Sequence, residues 1–150
     1  MKTYKVNGLN QSGTGPNTAD NIISLAAARA LTNYLLFGFR TNPNTTDQQV
    51  RCLVANTTVI GTAGTTPTPK PDDPQDVAAQ CTAAITHSAE PTSAAPYFMD
   101  FDLNQRASKE WGCQDGRELA SAVGTAAGMS TVMKAVTAAV QMSTVHGWRE

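Results

Sequence analysis

Charge is what this chain has least of. Only 15% of its 150 residues are charged, against roughly a quarter in an average soluble domain. Thr, Ser, Asn and Gln make up the deficit: hydrophobic residues stay at 41% and mean hydropathy is -0.26. Such a surface is wettable but carries few of the charges that hold copies of a protein apart. The 11 basic residues are scattered from Lys2 to Arg149 with no run among them. That excludes the electrostatic footprint of a sequence-reading nucleic-acid binder.

Catalytic signatures are missing as well. The chain has no G-x-S-x-G, no H-E-x-x-H and no C-x-x-C, the spacings that build a nucleophile elbow, a zinc protease site or a redox pair. It has two histidines, His87 and His146. Cys81 and His87 are six apart, so on one helix they do not share a face as a nucleophile–base pair would. Gly8, Gly13 and Gly15 precede an expected helix start, but Thr14 follows Gly13 where a phosphate-binding loop carries lysine. The reading leans away from an enzyme: no catalytic, cofactor-binding or metal-ligating residue is assigned, and no cofactor is implied. Cys52, Cys81 and Cys113 are an odd number, so at most one internal disulfide can form, and their spacings match no zinc pattern. The opening Met1 to Gly8 has no apolar core of a signal peptide, which points to the cytoplasm or to a virion. Asp100, Asp102 and Asn104 occupy the first, third and fifth ligand positions of a calcium loop. Gln105 stands where that loop needs Gly, and Trp111 where it needs Glu.

What is present is rich in Ala, Thr and Gly. Residues 1–16 read as an N-terminal arm, with the alternating stretch Thr3 to Val6 a strand or part of that arm. Residues 17–150 read as a single, mainly α domain. Asn17, Thr18 and Asp20 open a helix over 18–37 that Gly38 ends. The stretch 50–60, rich in β-branched residues, reads as a strand of one short strand pair or as a helical start. A Thr/Pro-rich surface loop follows at 61–75, where Pro67, Pro69, Pro71 and Pro74 forbid regular helix. A short helix covers 76–88. Asp115 and Glu118 have capping-box spacing ahead of a long C-terminal helix, about 45 Å at 1.5 Å per residue, that ends at His146 and Gly147. The helix over 18–37 is apolar nearly all round, but Arg29 in mid-run argues against a membrane span.

Gly124 to Gly128 is a G-x-x-x-G, a spacing that lets backbones approach closely. Two helices with so little charge have more uncharged surface than a monomer of this size can hide. The expectation is a self-assembling structural subunit, of a filament or virion coat type, whose partners are copies of itself and other subunits of an assembly. Its interface is placed at Ala120, Gly124, Ala127, Gly128, Val132 and Val136. The alternative is a small non-catalytic binding or accessory module of a larger complex, using the 61–75 loop or the acids at 100–104. The motifs identify no family.

Overall fold

The computed structural model describes residues 2–12, 20–26, 33–41, 49–104, 106–114, 116–120, 128–135 and 140–150. Among them there is no helix. Twelve strands run in chain order through the described residues: β1 (Thr3–Ser12), β2 (Asp20–Ala26), β3 (Asn33–Thr41), β4 (Gln49–Val59), β5 (Lys70–Pro71), β6 (Thr82–Ala84), β7 (Thr92–Ser93), β8 (Met99–Asn104), β9 (Ser108–Gly112), β10 (Leu119–Ala120), β11 (Gly128–Ala135) and β12 (Gln141–Arg149).

The mainly α expectation is therefore corrected. The stretch expected as a helix over 18–37 holds β2 and most of β3. The expected long C-terminal helix holds β10, β11 and nearly all of β12, and the short helix over 76–88 holds β6. The physical reason lies in the spacing. Met129 and Met133 are four apart, which is one helix face, but also two full periods of a strand. In β11 the buried core positions are Met129, Met133 and Ala135, while Lys134 between the last two is half-exposed. Thr131 and Val132, between the methionines, are β-branched and favour a pleated surface once neighbouring strands are available to pack on. Residues 50–60, read as a strand, lie almost wholly in β4. Residues Thr3–Ser12 of the segment read as an arm lie in β1, between β12 and β5.

Eight long strands carry the architecture. They pair as an antiparallel ribbon in which the chain's two halves run against each other: β1 with β12, β2 with β11, β3 with β9 and β4 with β8. The ribbon is then folded over. β12 comes to lie beside β3, and β11 beside β4, again antiparallel. The result is two sheets. Sheet A has the order β9-β3-β12-β1, and sheet B has the order β2-β11-β4-β8. A rolled eight-strand ribbon of this order is a jelly roll. The short strands extend its rims: β5 adds to β1, β6 to β2, β7 to β4 and β10 to β3.

The inner faces close over one core. Tyr4, Tyr34, Phe37 and Trp148 come from sheet A, and Val50, Cys52, Met129 and Met133 from sheet B, all of them buried. Tyr4 stacks on Trp148 with ring centroids 6.1 Å apart. The turn that carries the chain from β8 in sheet B to β9 in sheet A is held by one side chain. The Thr41 hydroxyl accepts from the Ala107 amide at 3.1 Å and donates to the Asn104 carbonyl at 3.0 Å. Its own amide donates to the Ala107 carbonyl at 3.0 Å, beside Arg106 at φ +65°. Thr41→Val keeps the shape but strands the Ala107 amide. It is expected to cost about 1–3 kcal/mol, read as a lower urea midpoint with an unchanged slope.

Candidate functional site

Three places in the sandwich concentrate polar chemistry. The first is the outer face of sheet A. Alternation along β1, β12, β3 and β9 turns Asn7, Ser143, Val145, Gly38, Arg40, Ser108 and Glu110 away from the core. They line a shallow groove of about 310 Å³ that crosses all four strands. Gly38 makes the depression. A Cβ there would lie 2.5 Å from Cγ1 of Val145, so only glycine admits the valine that leans over it. Arg40 and Glu110 stand exposed at the groove, and Lys109 is drawn over the Phe101 ring, 4.6 Å from its centroid. No histidine or cysteine lines it; Lys109 and Glu110 are its titratable residues besides Arg40. The groove can hydrogen-bond and ion-pair. Sequence reading missed it because its residues come from four separate strands.

The second place is the outer face of sheet B. Arg51 of β4 grips Asp100 of β8 with two bonds, one of them Nε to Oδ1 at 2.8 Å. That guanidinium holds the Asp100 carboxyl below the usual carboxylate range. Asp100, Asp102 and Asn104 fall on alternate, exposed positions of a strand. They do not wrap a point as a cation loop does, and an arginine already occupies the space beside the first of them. Among the described residues no three His, Cys, Asp or Glu side chains converge on one point.

The third place is the rim formed by β1 and β2. Here the Glu150 side chain accepts the backbone amides of Gln80 and Cys81, each at 2.8 Å, and the Trp148 indole N–H at 3.0 Å. Burial pushes the Glu150 carboxyl up, but the bonds from Trp148, Cys81 and Gln80 outweigh it and leave the group below its ordinary value. A carboxylate depressed by folding stabilises fully above its unfolded value, near 4.3, and the gain disappears as pH falls through the folded one. Solvent screens a group this exposed. Glu150→Gln is therefore expected to cost only about 0.5–1.5 kcal/mol at pH 7. The difference from the parent should shrink as pH falls from 7 towards 3, a comparison that denaturant midpoints across that range make directly.

Beneath these surfaces lies His146, fully buried and with no hydrogen-bond partner on either ring nitrogen among the described residues. It packs edge-on to Phe37 at 4.8 Å between centroids and against Tyr34 at 6.1 Å. Burial pushes its pKa down to about 3, so it is neutral at pH 7.

The residues expected at an assembly interface are dispersed. Ala120 lies exposed in β10 of sheet A, opposite Asn33. Gly128 opens β11 of sheet B, paired with Ala26 and Thr57. Val132, also in β11, is buried off the core cluster and pairs with Leu53. Gly124, Ala127 and Val136 lie outside the described residues. The three cysteines form no disulfide: Cys52 and Cys81 are buried and Cys113 is half-exposed. Among the described residues no helix is long and apolar enough to cross a membrane. Comparison of the chain with family models, curated proteins and solved structures finds no match.

Proposed function

We propose that this chain is a self-assembling structural subunit of the coat type, whose partners are copies of itself. The observation that carries the reading is the rolled eight-strand ribbon, an architecture that viral coat domains use. A jelly roll keeps its chain ends and loops at the rims and presents two broad sheet faces. The outer face of sheet A has Gly38, Gly147, Ser143 and Val145 at its centre and the charged Lys5, Arg40 and Glu110 around them. An uncharged centre inside a polar rim is the anatomy of a protein–protein interface. On this reading the chain resides in the cytoplasm or in the particle it builds, and it reads no nucleic-acid sequence.

A second reading, a small binding module, is favoured by the groove over Gly38, since jelly rolls also serve as lectin domains. Light scattering on the purified protein, with negative-stain images of the same sample, separates the two. Regular particles, rings or filaments support the subunit reading. A 15.8 kDa species at every concentration overturns it and leaves the groove as the place to seek a ligand.

A further inference from the structure

The long excursion between β4 and β8 leaves the sandwich and returns to it at one place. β4 ends at Val59, and β7 brings Thr92 back to pair with that same residue. Just beyond, Thr62 bridges Ala89 and Thr65 bridges Ile85, so residues 61–89 form a loop closed at its own base. Gly61, at φ +73°, turns the chain into it, packed so tightly on the Ala89 carbonyl that a Cβ would lie 2.3 Å away. Stiffened by Pro67, Pro69, Pro71 and Pro74, the loop reaches across the open rim as a strap.

The strap is fastened to that rim by small attachments. Lys70 and Pro71 pair with Lys5 and Tyr4, and Thr82 to Ala84 pair with Ala26 to Ser24. Asp76 meets Lys2 at 2.8 Å and Asp72 meets Lys5 at 3.3 Å. The Tyr4 hydroxyl donates to the Val77 carbonyl at 3.1 Å. The Glu150 carboxylate takes the amides of Gln80 and Cys81. The strap's fully buried side chains are only Cys81 and Ala83, so little apolar area ties it down. Beneath it, β1 and β2 are the rim strands of the two sheets, full-length edges of a kind that recruits another strand.

We propose that the β1/β2 rim is a docking surface for the strap of a second copy, so that neighbouring copies exchange residues 61–89. The rim's fit to its own strap is the argument for the occupant. A second copy brings the same two-residue and three-residue pairings, the same two ion pairs and the same amides for Glu150, and only the joints near 60 and 90 change. Exchange of an identical element links copies without any new interface having to evolve. The inference rests on the self-assembly reading and supplies its bond.

Complementary charge reversal tests it. One variant carries Lys2→Glu and Lys5→Glu on the rim; the other carries Asp72→Lys and Asp76→Lys on the strap. Alone, each sets like charges across its own latch. Cys81 should then react with a maleimide at pH 7 at least about tenfold faster than in the parent, because both ion pairs of the latch are replaced by repulsion and the strap opens more often. Cys52, in the core, should stay protected, and half-exposed Cys113 labels throughout as the reference. When the two are mixed in equal amounts, each rim finds a strap of opposite charge only on the other variant. The expected result is a one-to-one dimer by light scattering in which Cys81 is protected again. A mixture that stays monomeric with reactive Cys81 overturns the proposal, as does a Cys81 that remains protected in each variant alone. If a double variant also loses Cys52 protection, the single changes Lys5→Glu and Asp72→Lys are read in the same way. A parent that forms particles while the mixture fails to dimerise sinks strap exchange and leaves the subunit reading standing. A parent monomeric at every concentration sinks the subunit reading itself.

Discussion

His146→Leu should hold its stability at pH 7, or gain about 1–3 kcal/mol, and should lose much of the parent's sensitivity to acid. The gain comes from removing two ring nitrogens that are buried without partners among the described residues, a penalty leucine does not carry. The acid effect follows from linkage. Folding depresses this base, to about 3 in the folded chain from about 6.5 unfolded. Above pH 6.5 neither state holds the proton and the group contributes nothing. As pH falls below that, the unfolded chain binds a proton the folded chain refuses. Stability then drops by about 1.4 kcal/mol per pH unit until the folded value is reached. Carboxylates titrate over part of the same range, so the measurement is the difference between parent and variant in urea unfolding from pH 7 to pH 4. Parallel curves would mean that His146 is not buried and neutral as described. The imidazole sits on β12, the central strand that joins β1 to β3, so its protonation strikes at the middle of sheet A.

Trp148→Ala should be the most damaging single truncation, at about 3–5 kcal/mol, a third or more of the margin of an ordinary domain. The side chain is fully buried, stacks on Tyr4 and donates its indole N–H to Glu150 at 3.0 Å. Its loss opens a cavity under β1 and removes one of the bonds that holds the Glu150 carboxylate in place. Thermal melting checks the magnitude. Trp148→Phe separates the two parts, because it keeps most of the packing and loses only the N–H. It is expected to cost about 1 kcal/mol, the net worth of one such bond with part of the volume change. If alanine and phenylalanine cost the same, the indole packs less tightly than its burial implies.

Legibility depended on how many ways a stretch could be read. The run Val50 to Ile60 has Val50, Val54, Thr57, Thr58, Val59 and Ile60 to favour a strand over a helical start, and it lies almost wholly in β4. The prolines between Gly61 and Pro74 leave no regular element, and that segment holds only the two-residue β5. The strands of the C-terminal third were not legible. Gly128 to Ala135 places apolar residues at positions that satisfy a helix and a strand alike. The deciding neighbours come from β2 and β4, far away in sequence. The candidate sites share this difficulty. Arg40, Ser108 and Ser143 become neighbours only through register, and Glu150 finds Gln80 and Cys81 across the rim. A local motif cannot announce such groupings. Beside Gly147 in the sequence, His146 has the chemistry of a helix end, whereas strand alternation points it inward.

The rolled ribbon also dictates the order of events in time. Thr3 pairs with Arg149, and of the eight long strands only β4 and β8 pair as sequence neighbours, across the whole excursion between 60 and 98. No tight hairpin of long strands can form early and wait for the rest. β1 leaves the ribosome before the other strands and its long-strand partner, β12, after them, so β1 stays unmatched while all the others are made. Chains dominated by such distant pairings fold in about milliseconds to seconds, at the slow end for their size. The vulnerable species is the nascent chain from which β12 has not yet emerged, and translation speed and chaperone supply bear on how long it lasts.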